Sequence, residues 1–487
     1  MLFNSLGYMF FLVLSVAMVW AAPAPIRKWI VLLASLFFYG SWKVEFLFLI
    51  VFSAFVDYFF SLRIYDSSDQ ARRRLLLLCS LSINIGLLLY FKYAYFLAEN
   101  LNSVFDLLGA SDKQITVGQI ILPLGISFYT FLSISYTIDV YRRLFVPIRN
   151  FALYLTYVLF WPHMIAGPIL RACELIPQIV QNPFRPSAEN LAGGLQKILL
   201  GLFLKVVLAD ELAPLVDDAF SADASSLSGL DVWTMAYAFG FQIYFDFAGY
   251  SLIAIGSAQL INVHFPENFN WPYLADSPRE FWKRWHITLS SWIRDYLYLP
   301  LTGSRYQDRS SGGIDVERGT SSAPAIALAL FMTWLVMGLW HGANWTFAVW
   351  GAWHATVIFF YRVISKADLL RDTPRLRSVV GWGLTIPVIM LGWIPFRAGS
   401  LEKSFQLLGQ VVDVTHYAKL SFRENFYLFI FVIFLGMLAL KMMLHWRDRI
   451  VQRSSLGWVM NGLAYATLFF CTFLYFKVSN QFIYFQF

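Results

Sequence analysis

Long apolar stretches, each close to the length that crosses a bilayer, recur along the whole chain of 487 residues. A membrane-spanning helix needs about 20 predominantly apolar residues. Segments of this kind lie at 2–22, 29–41, 45–62, 74–97, 119–139, 151–167, 190–210, 231–262, 323–344, 346–364, 379–396, 424–444 and 457–477. Since some of these segments suit half-spans or re-entrant pieces better, we predict about eleven transmembrane helices.

The pattern predicts an all-α, polytopic membrane protein. Backbone groups in lipid must be hydrogen-bonded inside helices or closed barrels, and these apolar runs are too long and too continuous for barrel strands. The hydrophilic stretches between them leave no room for a soluble domain, so we predict one membrane-embedded domain, residues 1–487. The start of the chain lacks a basic stretch before its first apolar run, which favours a retained helix over a cleaved signal.

Composition agrees with this class. Hydrophobic residues make up 58% of the chain and charged residues 14%, whereas soluble domains carry about 25% charged residues. The net charge of +7 resides in short basic clusters between apolar runs, such as Arg72–Arg74 and Arg142 with Arg143 and Arg149. Such clusters are typical of cytoplasmic loops or simply of solvated loops, and they do not indicate nucleic-acid binding.

One region interrupts the helical pattern. Residues 263–322 open with the proline- and asparagine-rich run HFPENFNWPY and end in a Gly/Ser-rich loop at 303–322. Between them, Ser277 is placed to cap a helix that starts at Pro278. We predict an interfacial helix with one apolar stripe opposite basic residues. The stripe comprises Phe281, Trp282, Trp285, Leu289, Trp292, Ile293 and Tyr296.

Ionisable side chains inside apolar spans are energetically costly and mark candidate functional sites. Here they are Asp57, Asp139, Asp246, His341 and His354. His341 is the strongest candidate, because Gly338 and Gly342 leave room beside it for another backbone or a narrow substrate. A neutral imidazole in such a place can act as a general base near pH 7. The alternative is a histidine that is hydrogen-bonded between helices for packing alone.

His286 is the second candidate, at the edge of the predicted apolar stripe. It could equally be an interfacial histidine among tryptophans. No two histidines are spaced three or four residues apart, and Cys79, Cys173 and Cys471 are widely separated. We therefore predict no metal site and no disulfide framework. Motifs of serine hydrolases and P-loop NTPases are missing from the sequence.

The sequence resembles the membrane-bound O-acyltransferase family, and within it the bacterial branch that includes alginate O-acetylases. The similarity extends over nearly the whole chain. The matching runs are FDFAGYS (245–251), PENFNWPY (266–273), FWKRWHITLSSWIRDYLYLPL (281–301), GLWHGANWTFAVWGAWH (338–354) and FIYFQF (482–487). One departure is Leu252, where the alginate branch often has an aspartate. In this segment the chain is more similar to the branch that transfers D-alanine to teichoic acids.

The resemblance implies a ring of spanning helices around a thin central funnel or tunnel in the bacterial inner membrane. It implies that His341 is the catalytic base and that His286 is the second signature histidine. It further implies an acyl thioester such as acetyl-CoA as donor substrate, with no bound cofactor. The expected acceptor is an exported polysaccharide such as alginate, cellulose or peptidoglycan, or a periplasmic acetyltransferase partner.

Within this picture we expect substrate contacts at Asn344, Trp285, Trp340 and Asp295. Asn344 or tryptophan indoles are also candidate donors to a tetrahedral oxyanion. The sequence does not identify the residues that bind the donor. Two other functions stay open: a D-alanyl transferase of the teichoic-acid type, and a proton-coupled transporter or flippase without enzymatic activity. Inverted repeats with paired broken helices would favour the transporter, and we find no such repeat in the sequence.

Overall fold

A computed structural model describes residues 1–164, 167–181, 184–308, 315–317, 319–367, 373–415, 417, 419–450, 455–477 and 483. The described chain is overwhelmingly helical, which confirms the predicted all-α class. Of the terminal motif FIYFQF, only Ile483 belongs to the described residues.

Every predicted apolar run overlaps a helix, and further helices lie between the runs. The first eleven are α1 (Leu6–Ala21), α2 (Ala24–Gly40), α3 (Glu45–Asp66), α4 (Gln70–Leu88), α5 (Ala94–Leu107), α6 (Ile126–Tyr141), α7 (Phe151–Leu159), α8 (Ala172–Gln181), α9 (Ala188–Leu202), α10 (Asp210–Ser221) and α11 (Gly229–Leu260). The remainder are α12 (Pro278–Arg284), α13 (Ile287–Ile293), α14 (Leu299–Leu301), α15 (Ala323–His341), α16 (Trp345–Ile364), α17 (Pro374–Arg397), α18 (Leu401–Val412), α19 (Glu424–Ile450) and α20 (Ser455–Tyr475). The described part of the chain also contains π-helical segments at Leu89–Tyr93, Phe203–Ala209 and Arg294–Tyr298, which widen the helical turn locally.

Among the residues that the structure describes, six helical stretches are long and apolar enough to cross a membrane: α3, the continuous run from α4 to α5, α11, α15, α16 and α17. The same described residues include three shorter apolar helices, Leu6–Ala21, Glu424–Leu440 and Val459–Tyr475. The protein is therefore a multi-pass membrane protein. The predicted number of about eleven spans is not confirmed by these stretches and stays a prediction.

The described chain forms two compact units whose segments alternate along the sequence. The first unit comprises Met1–Leu195, Ala254–Asn268 and His286–Asn344. The second comprises Gln196–Ile253, Phe269–Trp285 and Trp345–Phe487. Helices α9 and α11 each contribute residues to both. The predicted single domain and the predicted ring of helices stay predictions.

The predicted interfacial helix is only partly correct. Ser277 does cap α12, since its hydroxyl accepts the Glu280 N–H at 3.2 Å, and Pro278 occupies the first turn. The helix then stops, because Trp285 is extended and His286 is left-handed with φ 40°. The expected stripe is therefore divided between α12, α13 and the π-helical segment after α13. Its tryptophans are buried inside the protein and do not line an interface.

A short hairpin lies in the predicted Gly/Ser-rich loop 303–322. Strands β1 (Arg305–Asp308) and β2 (Asp315–Glu317) pair antiparallel, with Arg305 opposite Glu317. The hairpin precedes α15 and does not change the fold class.

In the second unit, α9 and α11 approach each other through glycines. A Cβ placed on Gly201 would lie 2.6 Å from the Gly249 carbonyl oxygen, and one on Gly249 would lie 2.7 Å from the Gly201 carbonyl oxygen. The neighbour in each case is backbone and cannot move aside. Small residues are the usual means by which membrane helices pack this closely.

We expect Gly249→Ala to destabilise the protein, because the added methyl must force the two backbones apart. Overpacking of this kind costs about 1–3 kcal/mol. Gly383→Ala in α17 is the matched control, since a Cβ there meets nothing within 4 Å. Thermal unfolding in detergent should show a lower midpoint for Gly249→Ala only. Equal midpoints for the two variants would contradict the close approach.

Candidate functional site

His341 is the last residue of α15, and its side chain is buried with 5% exposure. The next residue, Gly342, is extended with φ −160° and ψ 151°, so the helix ends abruptly at the imidazole. The Trp340 ring lies 4.8 Å from the His341 ring, centroid to centroid. The candidate base therefore lies at the end of a candidate membrane span, inside the protein.

The C-terminus of α15 is closed by side chains from the π-helical segment Leu89–Tyr93. The Lys92 ammonium donates to the carbonyl oxygens of Trp340 at 2.5 Å and His341 at 2.9 Å. The Tyr93 hydroxyl donates to the Leu339 carbonyl oxygen at 2.7 Å. The final carbonyls of a helix have no partner within that helix. These two side chains supply the missing donors next to His341.

A series of ring contacts, which we call the aromatic ladder, connects the end of α15 with the segment that follows His286. It consists of Trp340, Phe131, Trp292 and Tyr296. Their successive centroids are 5.0, 4.0 and 5.0 Å apart. The Trp292 indole also donates to the Phe131 carbonyl oxygen at 3.1 Å. The ladder fixes the Trp340 ring, and hence the residue before the candidate base, against α6 and α13.

His286 immediately precedes α13 and is buried, with 4% exposure. Its left-handed backbone is uncommon for a residue with a Cβ, and such strain tends to occur at functional sites. Asn268 holds this turn twice. Its backbone carbonyl oxygen accepts the Ile287 N–H at 2.9 Å, and its Oδ1 lies 3.0 Å from His286 Nδ1.

The contacts of Asn268 determine the tautomer of His286. Asn268 Oδ1 also faces the Thr288 N–H at 3.3 Å, and a backbone N–H can only donate. The atom is therefore the amide oxygen, so Nδ1 of His286 carries the proton and Nε2 carries the lone pair. Burial lowers the pKa of His286 to about 3. The ring is therefore neutral at physiological pH and is a weak base, better suited to hydrogen bonding than to accepting a proton.

Asp295 is fully buried in an ion-pair network. Arg171 Nη2 lies 2.7 Å from Asp295 Oδ2, and Arg294 Nε lies 2.8 Å from Asp295 Oδ1. The neighbouring Tyr296 hydroxyl donates to Asp139 Oδ2 at 2.7 Å. These contacts hold the π-helical segment Arg294–Tyr298 and the Tyr296 end of the aromatic ladder. The substrate contact predicted at Asp295 stays a prediction.

The other two predicted substrate contacts have different surroundings. Asn344 lies between α15 and α16 and is half-buried. Trp285 belongs to the second unit and is buried against Phe281, Phe269 and Trp393, with ring centroids 5.6, 5.1 and 5.0 Å away. Trp285 thus packs in the aromatic core of that unit, and a role in substrate binding remains a prediction.

The remaining ionisable residues of the spans have polar or aromatic neighbours. Asp57 Oδ1 accepts the Ser80 hydroxyl at 2.6 Å and the Asn84 amide at 2.8 Å. Asp246 is ion-paired with Lys205 at 2.6 Å and accepts the Ile483 N–H at 2.7 Å. His354 lies 4.9 Å from the rings of both Trp282 and Trp350. Asp57 is thus hydrogen-bonded, Asp246 is ion-paired and His354 packs among tryptophans, each within its own unit.

No cluster of three histidine, cysteine, aspartate or glutamate side chains suited to a metal ion occurs among the residues that the structure describes. Lys92, Lys205 and Arg171 are further buried or half-buried cations that were not predicted from the sequence. Lys92 was identifiable, because it is a cation in the middle of the apolar run LLLYFKYAYF at 87–96. Its partners were not, because they are 248 and 249 residues away.

A profile of the membrane-bound O-acyltransferase family matches residues 143–376, a range that contains His286, Asp295 and His341. The chain is 38% identical over 410 residues to a probable alginate O-acetylase of Azotobacter vinelandii, covering 84% of this chain and 77% of the relative. It is 35% identical over 413 residues to a peptidoglycan O-acetyltransferase of Helicobacter pylori, covering 80% and 74%. A teichoic acid D-alanyltransferase of Streptococcus thermophilus is 31% identical over 237 residues, which cover 47% of this chain and 54% of the relative.

The family profile and similarity of this extent to several relatives establish the family. The chain belongs to the membrane-bound O-acyltransferase family.

Proposed function

We propose that this enzyme moves an acetyl group from a cytoplasmic thioester, such as acetyl-CoA, to a hydroxyl of an exported polysaccharide or of a partner acetyltransferase. The observation that carries the proposal is the placement of His341. The imidazole is buried at the end of α15. Lys92 donates to the His341 carbonyl oxygen, and Phe131 packs against the ring of the preceding residue, Trp340. A base held in a fixed position is what a proton-transfer step requires.

The proposed reaction balances without a further reactant. The acceptor hydroxyl oxygen attacks the thioester carbonyl carbon while the His341 imidazole takes the hydroxyl proton. The tetrahedral intermediate then collapses and expels the thiolate, which receives that proton from the imidazolium. The products are an O-acetyl ester and a free thiol. General-base assistance of this kind contributes about 10²–10⁴-fold in rate.

The intermediate carries a negative oxygen that needs hydrogen-bond donors. We assign this role to the Asn344 side-chain amide or the Trp340 indole, since both flank His341 in the sequence. His286 is assigned to orienting the acceptor, because its neutral ring and weak basicity do not suit it to the role of base. Substrate contacts at Asp295 and at Trp285 are also proposed, each within its own unit.

Acetyl is favoured as the transferred group because of the breadth of the similarity. The two O-acetyl-transferring relatives match over 77% and 74% of their length, whereas the D-alanyl-transferring relative matches over 54%. The proposed location is the bacterial inner membrane, with the donor on the cytoplasmic side. Lipid, the acyl thioester, the exported polymer and a periplasmic acetyltransferase are the proposed partners, with no bound cofactor.

The proposal is tested by chemical analysis of envelope polysaccharides from a strain with and without the gene for this chain. We expect ester-linked acetate, released by mild alkali, to disappear from one polymer and to return on complementation. Unchanged acetate in every polymer would overturn the proposed acceptor class. Loss of ester-linked D-alanine would instead support the D-alanyl transferase.

We expect His286→Gln to retain more activity than His286→Ala, because an amide can still donate to Asn268 Oδ1. Neither variant should alter the shape of the pH–rate profile, since His286 does not titrate near neutral pH. Rates measured between pH 5 and pH 9 for both variants check this. If the acidic limb of the profile vanished in His286→Gln, His286 would be the titrating base and the assigned roles would be reversed.

A further inference from the structure

The π-helical segment Leu89–Tyr93 interrupts the long helical stretch from α4 to α5 within a candidate membrane span. Isolated π-helical turns inside α-helices occur frequently at functional sites. Consecutive residues of a regular helix point about 100° apart, so they seldom reach the same neighbour. Here Lys92 and Tyr93 both reach the last turn of α15.

Three consecutive carbonyl oxygens, those of Leu339, Trp340 and His341, are the acceptors. They belong to the turn that carries the candidate base. Gly342 is extended and begins the next segment, so α15 cannot continue past His341. The donors to this helix end therefore come from another helix of the same unit.

The positive charge of Lys92 complements the C-terminal end of α15. Its ammonium donates to the two carbonyl oxygens and lies 5.8 Å from the centre of the Trp340 ring. The C-terminus of a helix carries partial negative charge, which a cation stabilises. An aromatic face adds a further attraction. A lysine inside a candidate span is costly, and this cluster compensates for it.

We propose that Lys92 and Tyr93 are positioning residues for acyl transfer, which lock the last turn of α15 so that the His341 imidazole is held against the reacting hydroxyl. The proposal rests on the proposed role of His341 as base. Neither side chain is assigned a contact with substrate. Removing the ammonium would free two carbonyl oxygens and allow the last turn to relax. Misplacement of a catalytic group by about 1 Å can cost on the order of 10²-fold in rate.

The test compares purified Lys92→Met, Lys92→Arg and Tyr93→Phe in detergent, with acetyl-CoA as donor and the strain's own deacetylated polymer as acceptor. We expect Lys92→Met to lower kcat by about 10- to 100-fold, with KM for acetyl-CoA changed by less than about 3-fold. Lys92→Arg should recover part of kcat, because its guanidinium can donate to both carbonyl oxygens. Tyr93→Phe, which loses a single hydrogen bond, should have the smaller effect.

Two controls complete the experiment. Lys28→Met makes the same substitution at an exposed position of α2 and should leave kcat unchanged. His341→Ala in the same assay tests the proposed function separately: full activity of that variant would refute the role of His341 as base, and with it the present inference. An inactive His341→Ala together with an unchanged kcat in Lys92→Met would overturn the present inference. If Lys92→Met does not fold, an unchanged kcat in Tyr93→Phe, which loses the hydrogen bond to the Leu339 carbonyl oxygen, would overturn it equally.

Discussion

Replacing His341 with alanine should abolish acetylation while leaving the protein folded in the membrane. The imidazole is the proposed acceptor of the hydroxyl proton, and its loss should lower the rate by about 10²–10⁴-fold. The measurement is the ester-linked acetate of the secreted polymer, divided by the amount of membrane-inserted chain. His341→Gln should be equally inactive, because an amide hydrogen-bonds but does not accept a proton.

His264→Ala is the matched control for this experiment. His264 is exposed, and its contacts with Gln178 involve only its backbone N–H and carbonyl oxygen. Acetylation should therefore be normal in this variant. Wild-type levels of acetate in His341→Ala would contradict the role that we assign to the imidazole.

Replacing Lys205 with methionine should destabilise the second unit strongly. Its ammonium lies 2.7 Å from Asp210 Oδ1 and 2.6 Å from Asp246 Oδ1, and the side chains of Lys205 and Asp246 are 2% and 3% exposed. Without the cation, two neighbouring carboxylates remain with no ammonium between them. Removing one partner of a buried ion pair costs about 3–5 kcal/mol. A lower thermal midpoint and a lower yield of inserted protein are expected.

The double variant Lys205→Met/Asp246→Asn distinguishes charge from shape. It removes the cation and one of the two carboxylates, so part of the lost stability should return. If the loss of stability in the double variant equalled the sum of the losses in Lys205→Met and Asp246→Asn, the two charges would not be coupled. The hydrogen bond that the Asp246 carboxylate accepts from the Ile483 N–H would then be its dominant contact.

Much of the fold was predictable because lipid imposes one strong rule, continuous apolar length, on every spanning helix. The predicted segments 323–344 and 346–364 correspond to Ala323–His341 and Trp345–Ile364. Ser277 was recognisable as a cap because Ser277 and Glu280, whose N–H its hydroxyl accepts, lie within four residues of each other. Such local signals need no knowledge of the tertiary structure.

The features that the sequence did not reveal depend on distant partners. The break at Trp285 and His286 carries no glycine or proline, so the helical periodicity gave no warning of it. It is stabilised by Asn268, which lies 18 residues earlier in the chain. The hydrogen bond between Arg171 and Asp295 joins residues 124 positions apart. Patterning along the chain cannot specify such pairs.

The candidate site likewise combines a feature that was visible in the sequence with contacts that only the structure reveals. His341 was identified from the sequence because an ionisable side chain within an apolar run is energetically costly and marks a candidate functional site. The structure adds what surrounds it: Lys92 and Tyr93 at the helix end, and Phe131 against the preceding ring. The side chains that hold the candidate base in place are thereby identified, and each can be removed by a separate substitution.

The most direct test of the account is transfer by the purified protein. Reconstituted in liposomes with [14C]acetyl-CoA and deacetylated polymer, the wild-type chain should release free CoA thiol and form alkali-labile [14C]acetyl ester in equal amounts. The same preparation of His341→Ala should form neither above background. Equal ester formation by the wild-type chain and by His341→Ala would contradict the central claim that His341 is the base of an acyl transfer.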